Sequence, residues 1–279
     1  MFLHQSPTDS MVFIWDEDSN VGAFQETNEQ EEIQTTNTFV GNQATKRVTK
    51  YMKSIPISWE AFKTDHVGKR DKIGQQIGDR ARLTQDKKAI LNTYGDAFDG
   101  SISTTPDGQA LASNSHVTLG SGDTVDNLET GALAADALWT GVTSLANQKG
   151  QDGEAGSYLF EGIVVPFLLY KTAKETMNST LAPQGGENAI NIFDTDYGQV
   201  AIKASIFLGS TYNSATNANT SYHLISRDHQ IQRKVLSDMS TDMIEPKYSR
   251  TDSWEIRARY AESAFPGSWC GYVGSSGTA

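Results

Sequence analysis

The sequence predicts an α+β fold, and three stretches carry that reading. One is a long, mostly polar helix over His66–Tyr94. Another is a buried strand, Tyr158–Val165, that passes through Pro166 into a helix over Phe167–Asn178. The last is a late strand, Thr251–Tyr260, in which Trp254, Ile256, Ala258 and Tyr260 alternate with charged or polar residues. A chain of 279 residues can bury one large core or two modest ones. Its hydrophobic fraction of 37% and mean hydropathy of -0.46 are lean for a self-contained globule, which leaves surface to be buried on assembly.

The helix is the element to explain first. Asp65 is placed as its N-cap, it holds no proline, and Gly95 stands where a terminating glycine belongs. At 3.6 residues per turn Val67, Ile73, Ile77, Ala81, Thr84 and Leu91 share one side with Arg70 and Lys88, while Leu83 and Ile90 fall off it. The apolar stripe is thin, and Gly68, Gly74 and Gly78 each cost about 1 kcal/mol against alanine. Such a helix does not persist alone. It is either the solvated helix of an ordinary domain or a strut laid across a sheet and shared with a neighbour.

Before the helix, Met11–Trp15 is an apolar island suited to extending a sheet edge. Asp16, Asp18 and Asn20 imitate a calcium loop, but Val21 and Thr27 stand where its glycine and glutamate belong. Residues 31–64 read as a two-stranded excursion: Ile33–Val40 goes out, Gly41-Asn42 turns, and Lys46–Ile57 returns. Ser58–Thr64 gives a short helical turn. Past the helix, Asp99-Gly100 and Pro106-Asp107-Gly108 are turns whose glycines supply positive φ. Residues 118–130 read as a surface loop, Thr130–Gln148 as a helix, and Gly185–Asn191 as loop. Gln199–Leu208 is a strand, Ser210–Ser221 a polar linker, and Tyr222–Ile225 a short strand.

Charge is divided along the chain. Residues 1–45 carry eight acidic and no basic residues, and residues 46–90 carry twelve basic and five acidic ones, within a net charge of -11. The overall sign is wrong for a protein whose work is to grip nucleic acid. Oppositely charged blocks suit contacts between copies, where they steer docking and fix register; the other reading is an acidic leader before a domain with a basic face. The residues singled out for intersubunit contact are Lys46, Arg47, Lys50, Lys53, Lys69, Arg70 and Lys72 on the basic side and Asp16, Glu17 and Asp18 on the acidic side.

Catalytic and cofactor patterns are missing. The sequence holds no phosphate-cradling glycine loop, no nucleophile elbow, no zinc-protease motif and no CxxC pair. The lone Cys270 excludes an internal disulfide and reads as a small buried hydrophobe. His116 reads as a hydrogen-bonded structural residue. His223, Asp228 and His229 lack the ligand spacing of a metal site, and Asp194 and Asp196 read as loop carboxylates. No cofactor, metal or catalytic residue is expected. The beginning of the chain has no signal-peptide pattern, no apolar run approaches a membrane span, and the Asn178 and Asn219 acceptor matches read as chance.

The order of parts carries a resemblance. A poorly apolar arm and hairpin lead into the long helix and "DGQALASNSHV"; a Leu/Ala helix follows, then "YLFEGIVVPFLLYKTAKETMNS", "DSWEIRARY" and "GSWCGYVGS". The set resembles the major capsid protein of tailed phages, nearest to the Mu-like phage head subunit family with its Hong Kong 97 phage type fold, over residues 46–279. Ala110 and Ala112 stand where that family tends to be aromatic. The resemblance implies an N-terminal arm (1–30), an extended loop (31–64), and a spine helix and first strands of a peripheral domain (65–117). It further implies an axial domain (118–240) and a return strand and tail (241–279). It implies a structural, non-enzymatic subunit that assembles with itself into hexamers and pentamers of a shell around double-stranded DNA, without reading its sequence. Scaffold, portal and decoration proteins are the implied partners, the virion capsid the location, the host cytoplasm the place of assembly, and no membrane is involved. An encapsulin-like compartment shares the fold, and a soluble hydrolase using His116 or His223 with carboxylates is the reading from another class.

Overall fold

The computed structural model describes residues 3–19, 21, 40–64, 68–180, 190–198, 200–215, 217–245 and 253–278, with the side chains of 69–71 excepted. The expected Asp65 cap, His66 and Val67, the 33–39 part of the outgoing strand, Asn20 and Thr27, most of the 185–191 loop, Gln199 and the Lys69 and Arg70 side chains lie outside the described residues. In chain order the first strands are β1 (His4–Pro7), β2 (Val12–Asp18), β3 (Val40–Arg47) and β4 (Thr49–Ser58). Helices α1 (Trp59–Lys63) and α2 (Lys69–Asn92) follow, then the short strands β5 (His116–Val117), β6 (Thr124–Val125) and β7 (Leu128–Glu129). Next come α3 (Ala135–Ala146), β8 (Phe160–Pro166), α4 (Tyr170–Asn178), α5 (Ile192–Asp196) and β9 (Ala201–Ser205). The chain ends with β10 (Tyr222–Ser226), β11 (Ile231–Ile244), β12 (Ser253–Pro266) and β13 (Tyr272–Ser275).

Two sheets organise these elements. A five-stranded sheet runs β7-β13-β10-β8-β9, and a four-stranded sheet runs β1-β11-β12-β4. The five-stranded sheet is covered on both faces, which explains why β8 reads as a near-continuous apolar run instead of an alternation. Ile163 and Val165 pack with Leu138, Val142 and Leu145 of α3 and Ala173 and Met177 of α4. Val164, between them, points the other way, into a cluster of Tyr94, Leu111, Leu208, Ile225, Ile231 and Tyr272. The approach of α3 is close: a Cβ on Gly141 would meet Leu224 Cδ1 at 2.6 Å.

The four-stranded sheet is different. Helix α2 lies on one face of it, and the shared core is only Ile77, Ile256 and Ala258, flanked by Ile55, Ile57 and Ile73. In the antiparallel β12–β4 register Tyr51 opposes Tyr260, Lys53 opposes Ala258 and Ile55 opposes Ile256, so these residues share the helix side. Lys50, Met52 and Ser54 take the opposite side. The thin stripe of the helix is therefore matched by a thin core, but its inward positions change along its length. Thr84 is exposed, whereas Ile90, off the expected stripe, packs beside Tyr94 because the end of α2 leaves the sheet and meets the second cluster.

Several boundaries differ from expectation for physical reasons. Gly41-Asn42 does not turn: β3 pairs with β2, the register slips between Asp16 and Asp18, and the glycine marks a bulge. Strands β3 and β4 form no hairpin with each other, since β4 pairs with β12. Gly68 in the left-handed region (φ 66°) precedes α2, and the helix ends at Thr93, not Gly95, which sits in a 3-10 turn held through its carbonyl by the Asn213 amide at 3.2 Å. Helix α3 starts at Ala135, later than expected, and upstream of it the Gly131 carbonyl accepts from the Ser275 hydroxyl at 2.7 Å. Residues 192–196, expected as loop, form α5, capped by the Asn191 side chain on Phe193 N. The boundary expected at 240 falls inside β11, and that at 117 falls between the paired strands β5 and β6.

Two buried carboxylates set the loops after α2. Asp96 accepts from the backbone N–H groups of Ser101, Ile102 and Ser103 and from the Ser101 hydroxyl, over 2.7–3.0 Å. The Gly100 and Gly108 turns both adopt positive φ, 60° and 82°. Asp107 lies 2.7 Å from His116 Nδ1, and His116 Nε2 lies 3.3 Å from the Leu111 carbonyl, as expected of a structural histidine. Burial pushes the Asp107 carboxyl up, but His116, Thr105 and the Gln109 N–H outweigh it and hold the carboxyl below its ordinary value.

The core assignment predicts unequal costs for two truncations. Ile163→Ala, at a fully buried site, loses about 2–5 kcal/mol in urea unfolding, and Leu83→Ala, on the exposed side of α2, stays within about 0.5 kcal/mol of wild type; equal losses contradict the assignment. A carboxyl held below its unfolded value stabilises the fold above that value and loses the contribution as pH falls through the lowered one. Asp107→Asn is therefore expected to cost about 1–3 kcal/mol near neutral pH, with the gap from wild type narrowing as pH falls below the ordinary carboxylate range; a gap independent of pH refutes the pairing.

Candidate assembly surface

The charged residues that sequence reading grouped together are separated by strand alternation. On β2, Phe13, Trp15 and Glu17 face the body of the protein and Asp16 and Asp18 face outward. On β3, Lys46 faces in and Arg47 out. Lys46 is engaged within the chain: Nζ donates to the Thr104 carbonyl at 2.7 Å and sits 5.4 Å from the centre of the Phe265 ring. Burial pulls its pKa down. Glu17 is also internal, with 4% of its surface exposed, and its Oε1 accepts from Gln151 Nε2 at 3.3 Å. These two residues are not free surface charges as the sequence reading had them. The period of two along VFIWDED was the signal that separates them.

Arg47, Lys50, Lys53 and Lys72 are exposed and form no ion pair among the described residues. They do not gather into one patch. Lys50 lies on the outer face of the four-stranded sheet, and Lys53 beside the groove between α2 and β4, which Tyr51, Arg80, Ala81 and Tyr260 also line. Arg47 lines a separate cavity of 390 Å³ with Lys88, Asn92 and Phe265. Exposed apolar side chains recur around this sheet and the β2–β3 ribbon: Val12, Ile14, Val40, Met52, Leu83, Met239 and Met243.

Burial dominates the titration of His223, His229 and Cys270 in the interior. His223 is fully buried with Nδ1 2.7 Å from the Tyr272 hydroxyl, and burial lowers its pKa to about 3. His229 is lowered to about 4, mainly by burial and further by His4. Burial raises the Cys270 thiol to about 11, which keeps it protonated and inert. Among the described residues no three His, Cys, Asp or Glu side chains lie close enough to hold a metal ion, and no described helix is long and apolar enough to cross a membrane.

Comparison with known proteins adds identity to this geometry. No curated protein sequence matches the chain. Among solved structures, the capsid of Myoviridae phage XM1 superposes with a TM-score of 0.56 at 12% identity, over 98% of this chain and 88% of that one. The capsid of the native GTA particle gives 0.62 at 11%, over 99% and 88%. The SrpI encapsulin complex from Synechococcus elongatus PCC 7942 gives 0.57 at 9%, over 99% and 85%. At these identities the likeness is one of fold. The family profile described as phage capsid protein matches residues 42–273, far more than half of the sequence, and the chain belongs to that family.

Proposed function

We propose that the chain is the major head subunit of a tailed phage, assembling with itself into hexamers and pentamers of a closed shell around double-stranded DNA. The observation that carries this reading is the family match over residues 42–273, reinforced by a fold likeness to shell subunits along nearly the whole chain. The five-stranded sheet with α3 and α4 is the axial part. The four-stranded sheet with α2 is the peripheral part, the acidic leader the arm, and the basic stretch up to β4 the extended loop. The thin core under α2 and the unpaired cations on β3, β4 and α2 then have a use, since each is completed by a neighbouring copy. A net charge of -11 keeps the inner wall from adhering to packaged DNA. Scaffold, portal and decoration proteins are further partners, and assembly takes place in the host cytoplasm before the shell becomes part of the virion.

The likeness to an encapsulin favours a second reading, a compartment enclosing protein cargo. The contents of purified particles separate the two. For the subunit itself, Lys50→Glu and Lys53→Glu are each expected to lower particle yield by about tenfold in negative-stain images, while urea unfolding of the isolated chain stays near wild type. Particles at wild-type yield from both variants refute the role given to this stretch.

A further inference from the structure

The β2–β3 ribbon covers a cavity of 460 Å³ lined by Trp15, Asp16, Glu17, Asp18, Tyr158 and Asp228, with Gln151, Ser268 and Cys270 deeper in. Three of its carboxylates, those of Asp16, Asp18 and Asp228, are ordinary cavity-rim charges. Glu17 is not: it is 4% exposed, and its Oε2 is buried without a hydrogen-bond partner. A buried carboxylate oxygen offset only by the approach of the Ser268 and Asn42 side chains is costly, and proteins retain one where a cation or a proton satisfies it. No described cation does so, because Lys234, the basic group nearest on β11, lies over the Trp15 ring at 5.2 Å, and Lys46 is engaged at Thr104. A metal ion is a poor fit, since among the described residues no three ligating side chains converge.

We propose that this cavity is the receptor for an arginine or lysine side chain of a second copy of the chain, supplied by its basic segment of residues 46–90, with Glu17 as the buried anchor. The proposal rests on the shell reading and names the chemistry of one contact in it. Charge complementarity selects the occupant: the rim is acidic, and Arg47, Lys50, Lys53 and Lys72 are exposed and unpaired among the described residues. The Tyr158 ring offers a flat wall to a guanidinium, whereas the Trp15 ring already carries Lys234.

Docking is coupled to a proton. In the free subunit burial raises the Glu17 carboxyl to about 7, the Asp107 charge adds to the rise, and nearby Ser268 and Asn42 oppose it. The groups facing it are Asp16 and Asp18 on its own strand, Asp107 with its partner His116, Asp228, and the protonated Tyr158 and Cys270, whose surroundings include Asp152. An incoming cation favours the carboxylate, so the Glu17 O–H breaks, the proton leaves to solvent and an ion pair forms. Docking therefore strengthens as pH rises toward about 7 and levels off above it, by about tenfold per contact between about pH 6 and pH 8.

Glu17→Gln tests this, because glutamine keeps the shape and neutrality of the protonated acid and removes its proton. The expected result is that wild-type particles form at a critical concentration that falls between pH 6 and pH 8. Glu17→Gln should raise that concentration at pH 8 and remove the Glu17 share of the pH slope. Equal slopes and equal critical concentrations overturn the proposal. If the wild-type chain forms no particles, methylguanidinium is titrated into the soluble chain while the Glu17 carboxyl carbon is followed by NMR near pH 6. A shift toward the carboxylate position supports the cavity and leaves only the shell reading refuted; no shift overturns the cavity as well.

Discussion

The structure depends on one short passage of chain, residues 267–271, where β12 of one sheet becomes β13 of the other. Trp269 is fully buried there and stacks on His116 at 5.3 Å, with the rings 19° from parallel. The Gly267 N–H donates to the Gln230 carbonyl at 2.7 Å, the Gly271 N–H to Gln148 Oε1 at 2.8 Å, and the Ser226 N–H to the Gly271 carbonyl at 2.9 Å. Elements from both sheets and from α3 thus converge on five residues. Trp15 reaches the same passage from the N-terminal ribbon, its Nε1 donating to the Gly267 carbonyl at 2.9 Å. The Asp107 pair holds the His116 ring against this turn: a ring free to rotate would not present a flat face to Trp269.

From that fixed point the two halves differ in how their apolar area is distributed. The five-stranded sheet has apolar layers on both faces, yet around it Trp139, Leu159, Phe167, Leu168, Ile190 and Ile192 are exposed. In the four-stranded sheet the cluster under α2 is only Ile77, Ile256 and Ala258, and the other end of β12 buries Phe265 against the Phe13 and Trp15 rings. Arg233 and Glu262 form a close buried pair across β11 and β12, and Arg259 and Asp242 pair at 3.3 Å near the surface. Such pairs fix register more than they add stability.

What was legible in the sequence follows from which signals were local. The strand-proline-helix run around Pro166, the two glycine turns at 100 and 108, and the Trp254–Tyr260 alternation depend on neighbours in sequence, and each appears where it was read. Strand β11 was missed because its 14 residues, IQRKVLSDMSTDMI, carry two register shifts that break the alternation, and half of it is exposed. Strand β1 was missed because four residues, HQSP, carry no apolar pattern and are placed only by parallel pairing with β11. The acidic run was read as three equivalent charges, although alternation turns Glu17 inward and leaves Asp16 and Asp18 outside. The deep environment of Glu17 comes from Gln151, Ser268 and Asp107, more than 80 positions away, and no local rule reports that.

The division of charge along the chain acquires a geometry in the ribbon. Because β2 and β3 are antiparallel, Asp16 pairs with Gln43, and Val12 pairs with Arg47. The acidic residues therefore collect at one end of the ribbon and the basic residues at the other, about 15 Å apart for five strand residues. A ribbon polarised in this way cannot close its two ends on each other, since β-pairing holds them at strand length. A two-fold contact and a head-to-tail contact can each bring an acidic end to a basic one, since a two-fold axis sets residue i on j and j on i. The two differ in what they leave over: the two-fold contact uses both ends at once, and the head-to-tail contact leaves an end for a further copy, so that it closes into a ring when the rotation per copy allows it. The register slip opposite Gly41-Asn42 lies at the acidic end, where Glu17 is buried beside Gln151, while at the other end Phe13 and Lys46 pack on Phe265 and Arg47 is exposed.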